Sequence, residues 1–168
     1  MKKLMALLLA AAMIFCFAGC GSDDSGNGET QAQSQEKGFS FTYNGVEITL
    51  HAPAEAIVAA LGEPQKYTES TSCAFVGLDK SYGYGSFYLE TYPVDGKDFV
   101  YGWWFVDDMV ENEEGICIGS TQAEVEAAYG ADTFNGTNAF TVKRGNGVLT
   151  ILLENGLVNS VQYTILGD

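Results

Sequence analysis

The chain has 168 residues, 46% of them hydrophobic, with 8 Lys and Arg against 22 Asp and Glu, 4 Cys and one His. A formal charge of −14 argues against a nucleic-acid ligand, because phosphate binding relies on Lys and Arg to neutralise the backbone, and against polybasic attachment to a membrane surface. One His excludes metal sites built on two or more imidazoles, and the length leaves room for a single modest core.

Met1-Lys2-Lys3 is a short basic start, and Leu4 to Phe17 is an apolar run of fourteen residues. A spanning helix needs about 20, so the run has the length of a signal-peptide core. It ends in Phe17-Ala18-Gly19-Cys20, which resembles the lipobox of bacterial lipoproteins, with Phe17 where that pattern usually has an aliphatic residue. The resemblance implies a signal peptide over residues 1–19, diacylation of Cys20, and a lipid anchor on the extracytoplasmic face of the cell membrane. Gly21 to Lys37 holds no aromatic and no aliphatic residue larger than Ala. Such a segment cannot offset its chain entropy by burial, so residues 20–38 read as the lipidated cysteine and a disordered tether, about 20–25 Å long. Without the signal segment, 6 basic residues face 22 acidic ones, a charge of −16.

Beyond residue 38 the sequence repeats. Ile48 to Gly62 lies over Ile116 to Gly130 at an offset of 68, with Ile48/Ile116, Ile57/Val125, Ala60/Ala128 and Gly62/Gly130 agreeing in kind. Each copy reads as a short strand, then a helix, then a glycine stop. The helices are expected over Ala54–Leu61 and Gln122–Tyr129. Pro53 suits a first helical position, Ser120-Thr121 before Glu124 reads as a capping box, and Gly62 and Gly130 can take the left-handed stop conformation. Asn44-Gly45, Asp95-Gly96 and Asn155-Gly156 are hairpin signals. They join Phe39–Tyr43 to Val46–Leu50, Gly85–Tyr92 to Phe99–Val106, and Val148–Glu154 to Leu157–Ile165. Cys73–Leu78 and Ala139–Lys143 would open the two meanders. The expected fold is α+β, a tandem repeat of two units over residues 39–110 and 111–168. Each unit is a short helix plus an antiparallel meander, and the two join into one continuous antiparallel sheet with both helices on one face. A unit this short cannot bury its own apolar face, which is a physical reason for having two.

This order, together with the strings Ser72-Cys73-Ala74-Phe75, Gly77-Leu78-Asp79-Lys80, Thr91-Tyr92-Pro93 and Glu114-Gly115-Ile116, resembles the beta-lactamase inhibitory protein fold. It is also similar to a set of tandem lipoproteins from Gram-positive anaerobes. The resemblance covers about 130 residues and implies the architecture and a protein partner, without carrying beta-lactamase across as that partner.

A two-residue turn at Asp95-Gly96 sets Tyr92 opposite Phe99, Glu90 opposite Tyr101 and Tyr88 opposite Trp103. With a period of two, one face then carries Tyr84, Tyr88, Tyr92, Phe99, Tyr101, Trp103 and Phe105, and the other Phe87, Leu89, Thr91, Val100, Trp104 and Val106. Exposed Tyr and Trp make a recognition surface, so Tyr84, Tyr88, Tyr92, Tyr101 and Trp103 are the candidate binding residues. The bland alternative is a structural aromatic patch, and a one-residue bulge would exchange the faces.

Other constellations point less far. Asp107, Asp108, Glu111, Glu113 and Glu114 match no calcium-loop spacing and read as a solvated linker, with a Ca²⁺ site as the lesser alternative. Cys73 and Cys117 are a possible disulfide in an exported protein, or free thiols. His51 reads as a surface residue, because nothing orients a Cys–His pair. No phosphate or dinucleotide fingerprint is present, and no cofactor or metal is expected. These features point to a non-catalytic, surface-anchored lipoprotein that binds a protein or envelope polymer through its aromatic sheet face. A small-molecule or glycan-binding lipoprotein is the first alternative, and a hydrolase with unrecognised carboxylates the second.

Overall fold

A computed structural model describes residues Gly38–Gly167; Cys20, the signal segment and the tether up to Lys37 lie outside them. The described chain is mixed α+β. Strands β1 (Ser40–Tyr43) and β2 (Val46–Thr49) form a hairpin, followed by helix α1 (Ala54–Leu61). Four strands come next: β3 (Lys66–Thr71), β4 (Leu78–Gly83), β5 (Phe87–Val94) and β6 (Lys97–Phe105). Helix α2 (Gln122–Tyr129) precedes β7 (Ala139–Arg144), β8 (Gly147–Glu154) and β9 (Leu157–Ile165). Beside the β1–β2 ribbon stands one antiparallel sheet of seven strands, in the order β3-β4-β5-β6-β9-β8-β7.

Both helices run over the residues expected of them, and the three hairpin turns fall at Asn44-Gly45, Asp95-Gly96 and Asn155-Gly156. Three expectations need correction. Pro53 is the residue before the helix, with extended backbone (ψ 121°), because it bridges to Phe99 of β6. Cys73–Gly77 is a loop: Ser72 Oγ accepts from the Ala74 and Phe75 amides and bends the chain there. The strand pairs further on, and its partner β3 was unforeseen, because Lys66–Thr71 is polar and exposed along its whole length.

The entry to each helix is held by the same device. The His51 amide donates to the Val100 carbonyl and the Val100 amide to the Ala52 carbonyl, each at 2.9 Å. Sixty-eight residues on, the Gly119 amide donates to Val158 and the Val158 amide to Ser120, each at 2.7 Å. Pro53 bridges Phe99 as Thr121 bridges Leu157. His51 and Gly119 share a left-handed backbone, φ 61° and 90°. A non-glycine residue there costs roughly 1–2 kcal/mol, and the His51 ring bonds Tyr92 Oη through Nδ1 at 2.8 Å.

Each long hairpin carries one bulge. Thr91 pairs with Val100 but Glu90 with Gly102, leaving Tyr101 as the extra residue. Leu153 pairs with Val158 but Leu152 with Ser160, leaving Asn159 as the extra residue. The bulges align β5 with β8 and β6 with β9, position by position. One apolar cluster then takes the inner residues of both hairpins, Ala54 of α1, Val125 of α2, and Phe39, Phe41, Ile48 and Leu50 of the ribbon. At its centre Trp103, fully buried, stacks on Tyr163 (5.0 Å, 22°) and lies 6.2 Å from Phe41.

The acidic linker is partly a built network. The buried Asn112 donates to Tyr129 Oη (2.9 Å) and Tyr163 Oη (3.0 Å) and accepts from the Glu114 and Ile116 amides. Arg144 pairs with Glu114 at 2.9 Å and lies 3.7 Å from Glu113, whose carboxylate accepts from Ser40 Oγ. Burial holds the Tyr129 and Tyr163 phenols well above their ordinary range. Among the described residues no group of acidic, His or Cys side chains is placed to hold a metal ion.

Candidate functional site

The Tyr101 bulge decides which rings face out. Beyond it the partners are Leu89 with Trp103, Tyr88 with Trp104 and Phe87 with Phe105, one residue out of step with the register counted from the turn. Phe87, Leu89, Val100, Trp103 and Phe105 therefore enter the core. Tyr88, Glu90 and Trp104 take the outer face, opposite the core. The five candidate binding residues do not share one exposed face. Trp103 (0% exposed), Tyr84 (6%) and Tyr92 (8%) are buried, whereas Tyr88 and Tyr101 are half-buried. Tyr84 stacks on the core residue Phe87 at 5.4 Å. Tyr92 is covered by Phe75 from the β3–β4 loop at 4.7 Å and by His51.

Trp104 replaces Trp103 in the candidate surface. Its ring stacks on Tyr88 at 5.1 Å and 18°, and both are half-buried. The pair lies in a row running across the sheet: Lys66, Gly83, Tyr88, Trp104, Gln162, Thr150 and Thr141. Gly83 makes room for it, since a Cβ there would lie 2.9 Å from the Tyr88 ring. Lys66 holds its ammonium 5.7 Å from the centre of the same ring. The sequence did hold a signal for this arrangement. In β9 the apolar residues Val158, Val161 and Tyr163 break the period of two by one residue, and Val100, Trp103 and Phe105 repeat that spacing.

The neighbouring row is polar: Thr68, Ser81, Glu90, Gly102 and Thr164. Three of its residues, Thr68, Ser81 and Glu90, line a pocket of about 280 Å³ together with Glu69, Ser70, Asp79 and Lys80. Burial pushes the Glu90 carboxyl above its ordinary range, against the hydrogen bond from Ser81 that favours ionisation. Asp79 Oδ1 is buried without a hydrogen-bond partner among the described residues. A second concavity, of about 400 Å³, lies on the inner side between α1 and the β5–β6 hairpin tip, against Val58, Tyr82, Lys97 and Asp98. Asp98 there is paired with Lys80 at 2.6 Å.

Cys73 and Cys117 are both free, the first exposed in its loop and the second half-buried beside Ser120 Oγ. No helix of the described residues is long and apolar enough to cross a membrane. No family model, curated protein or solved structure matches the chain.

Proposed function

We propose that the chain is a non-catalytic lipoprotein, anchored through Cys20 at the outer side of the cell membrane, which binds a protein partner on the outer face of its sheet. We read the folded part as a duplicated unit of the kind found in the beta-lactamase inhibitory protein fold; the matched helix entries and matched bulges support this. The observation that carries the binding reading is the stacked, half-exposed Tyr88–Trp104 pair, set on the face that the core does not use. Rings of this kind contribute large contact area with few rotatable bonds, and recognition energy concentrates on Trp, Tyr and Arg anchors.

The test is affinity capture from envelope extracts with the full chain as bait. Wild-type protein retains a defined partner, and Tyr88→Ala or Trp104→Ala releases it. A partner retained equally by both variants refutes the reading. Mass spectrometry of the mature N-terminal peptide tests the anchor, which requires a diacylated Cys20.

A further inference from the structure

Glu90 stands between Tyr88 and Tyr92 on β5, and its cross-strand neighbours on the outer face are Ser81 and Gly102. Ser81 is short and Gly102 has no side chain; a Cβ there would strike the Tyr163 carbonyl. Neither neighbour covers the carboxylate with a large side chain, and Glu90 lines the pocket of about 280 Å³ with Thr68, Ser70, Asp79 and Ser81. Tyr88, two residues before Glu90, and Trp104, two residues after Gly102, stand in the row to one side. Tyr92, two residues after Glu90, stands to the other side, with the Tyr101 ring centre 6.3 Å from its own. The ion pairs of the described residues join Lys80 to Asp98 and Arg144 to Glu113 and Glu114, and leave Glu90 and Asp79 without a basic partner.

We propose that the Glu90 carboxylate and the rings flanking it form a slot that seats an Arg or Lys side chain presented by a basic protein partner. Ring faces attract a cation through their quadrupole, and the carboxylate supplies a charge-assisted hydrogen bond. Lys66 already places its ammonium over Tyr88, so the chain itself uses this ring as a cation seat. The overall charge of −14 steers a basic partner inward and repels an anionic polymer. The corresponding positions of the second hairpin hold Leu152 for Glu90 and Gln162 for Trp104, so no second slot is built there. The inference rests on the outer face being the recognition surface.

The experiment is an NMR titration of the full chain at about 0.15 M salt, where surface charges are largely screened beyond about 8 Å. The probes are a Gly-rich peptide carrying three Arg and its citrulline isostere. The Trp104 indole N–H is expected to shift saturably with the Arg peptide and at least about five-fold more weakly with citrulline. Glu90→Gln weakens the Arg peptide by about the same factor, while Glu63→Gln, which removes an equal charge from an exposed site, changes it by less than about two-fold. Equal losses in the two Gln variants overturn the slot, and so does the absence of a saturable shift at millimolar peptide. Citrulline peptide or a neutral oligosaccharide bound at Trp104 and indifferent to Glu90→Gln also overturns the slot, but leaves the outer face as the recognition surface. Binding of the Arg peptide unchanged by Trp104→Ala removes both.

Discussion

The β5–β6 and β8–β9 hairpins share one backbone plan, down to a bulge at the corresponding place, yet carry different chemistry on one face. The inner positions correspond as Phe87 to Leu149, Leu89 to Ile151, Val100 to Val158, Trp103 to Val161 and Phe105 to Tyr163, all in one core. The outer positions correspond as Tyr88 to Thr150, Glu90 to Leu152 and Trp104 to Gln162. The plan is thus compatible with polar and aliphatic residues on the outer side. Nothing in the fold demands the stacked pair or the half-buried carboxylate of the first hairpin, and this is why we assign them to recognition. The helices differ in the complementary sense. Helix α2 has a capping box between Thr121 and Glu124 and joins the Asn112 network through Tyr129. Helix α1 has no side-chain cap and lies beside the inner groove. The second half is the better-fastened scaffold, and the first half carries the open surfaces.

The largest expected effect tests the shared core. Trp103→Ala should lose about 3–5 kcal/mol in urea denaturation, the usual cost of truncating a buried aromatic. A loss below about 1 kcal/mol would mean that the two hairpins do not close on one core. Asn112→Ala comes next, at about 2–3 kcal/mol, because it strands the Tyr163 phenol and two backbone amides and leaves Tyr129 Oη only its bond to Glu114. Its effect should persist at high salt, unlike that of the Arg144 ion pairs. Thr121→Ala should cost about 1 kcal/mol through loss of the cap. If thermal melting shows no loss, α2 is held by packing alone, and the contrast with α1 weakens.

The smallest effect has the opposite sign. Burial raises the Glu90 carboxyl in the folded state, so the folded protein binds its proton more tightly than the unfolded chain does. The resulting stability is fully present below the unfolded value and is lost as pH rises through the folded value. Glu90→Gln, permanently neutral, should therefore raise Tm by about 1–3 °C at pH 7 and leave it unchanged near pH 4. A variant that melts lower at pH 7 would show that Glu90 supports the fold rather than straining it for a partner.

The helices and turns were legible because each is written locally. Gly62, Gly130, the Thr121–Glu124 pair and the three Asn-Gly or Asp-Gly turns need only neighbouring residues. The correspondence between the two halves showed through the helix entries, which keep one offset. It did not show through the hairpins, because the stretch between bulge and turn is two residues longer on each strand of β5–β6 than on β8–β9, which shifts the offset within the sheet. The bulge defeated the face assignment. Trp103 and Trp104 are adjacent and alike, so composition could not choose between them, and one extra residue at Tyr101 reversed the choice. Strand β3 was invisible for another reason: it is polar, and all of its residues stay exposed.

The most direct test of the account compares the two adjacent tryptophans. Trp103→Ala and Trp104→Ala are each measured for Tm and for retention of the captured partner. The account predicts that Trp104→Ala melts within about 3 °C of wild type and loses the partner, while Trp103→Ala melts far lower. A Trp104→Ala protein that keeps its partner at wild-type affinity, or that unfolds as readily as Trp103→Ala, contradicts it.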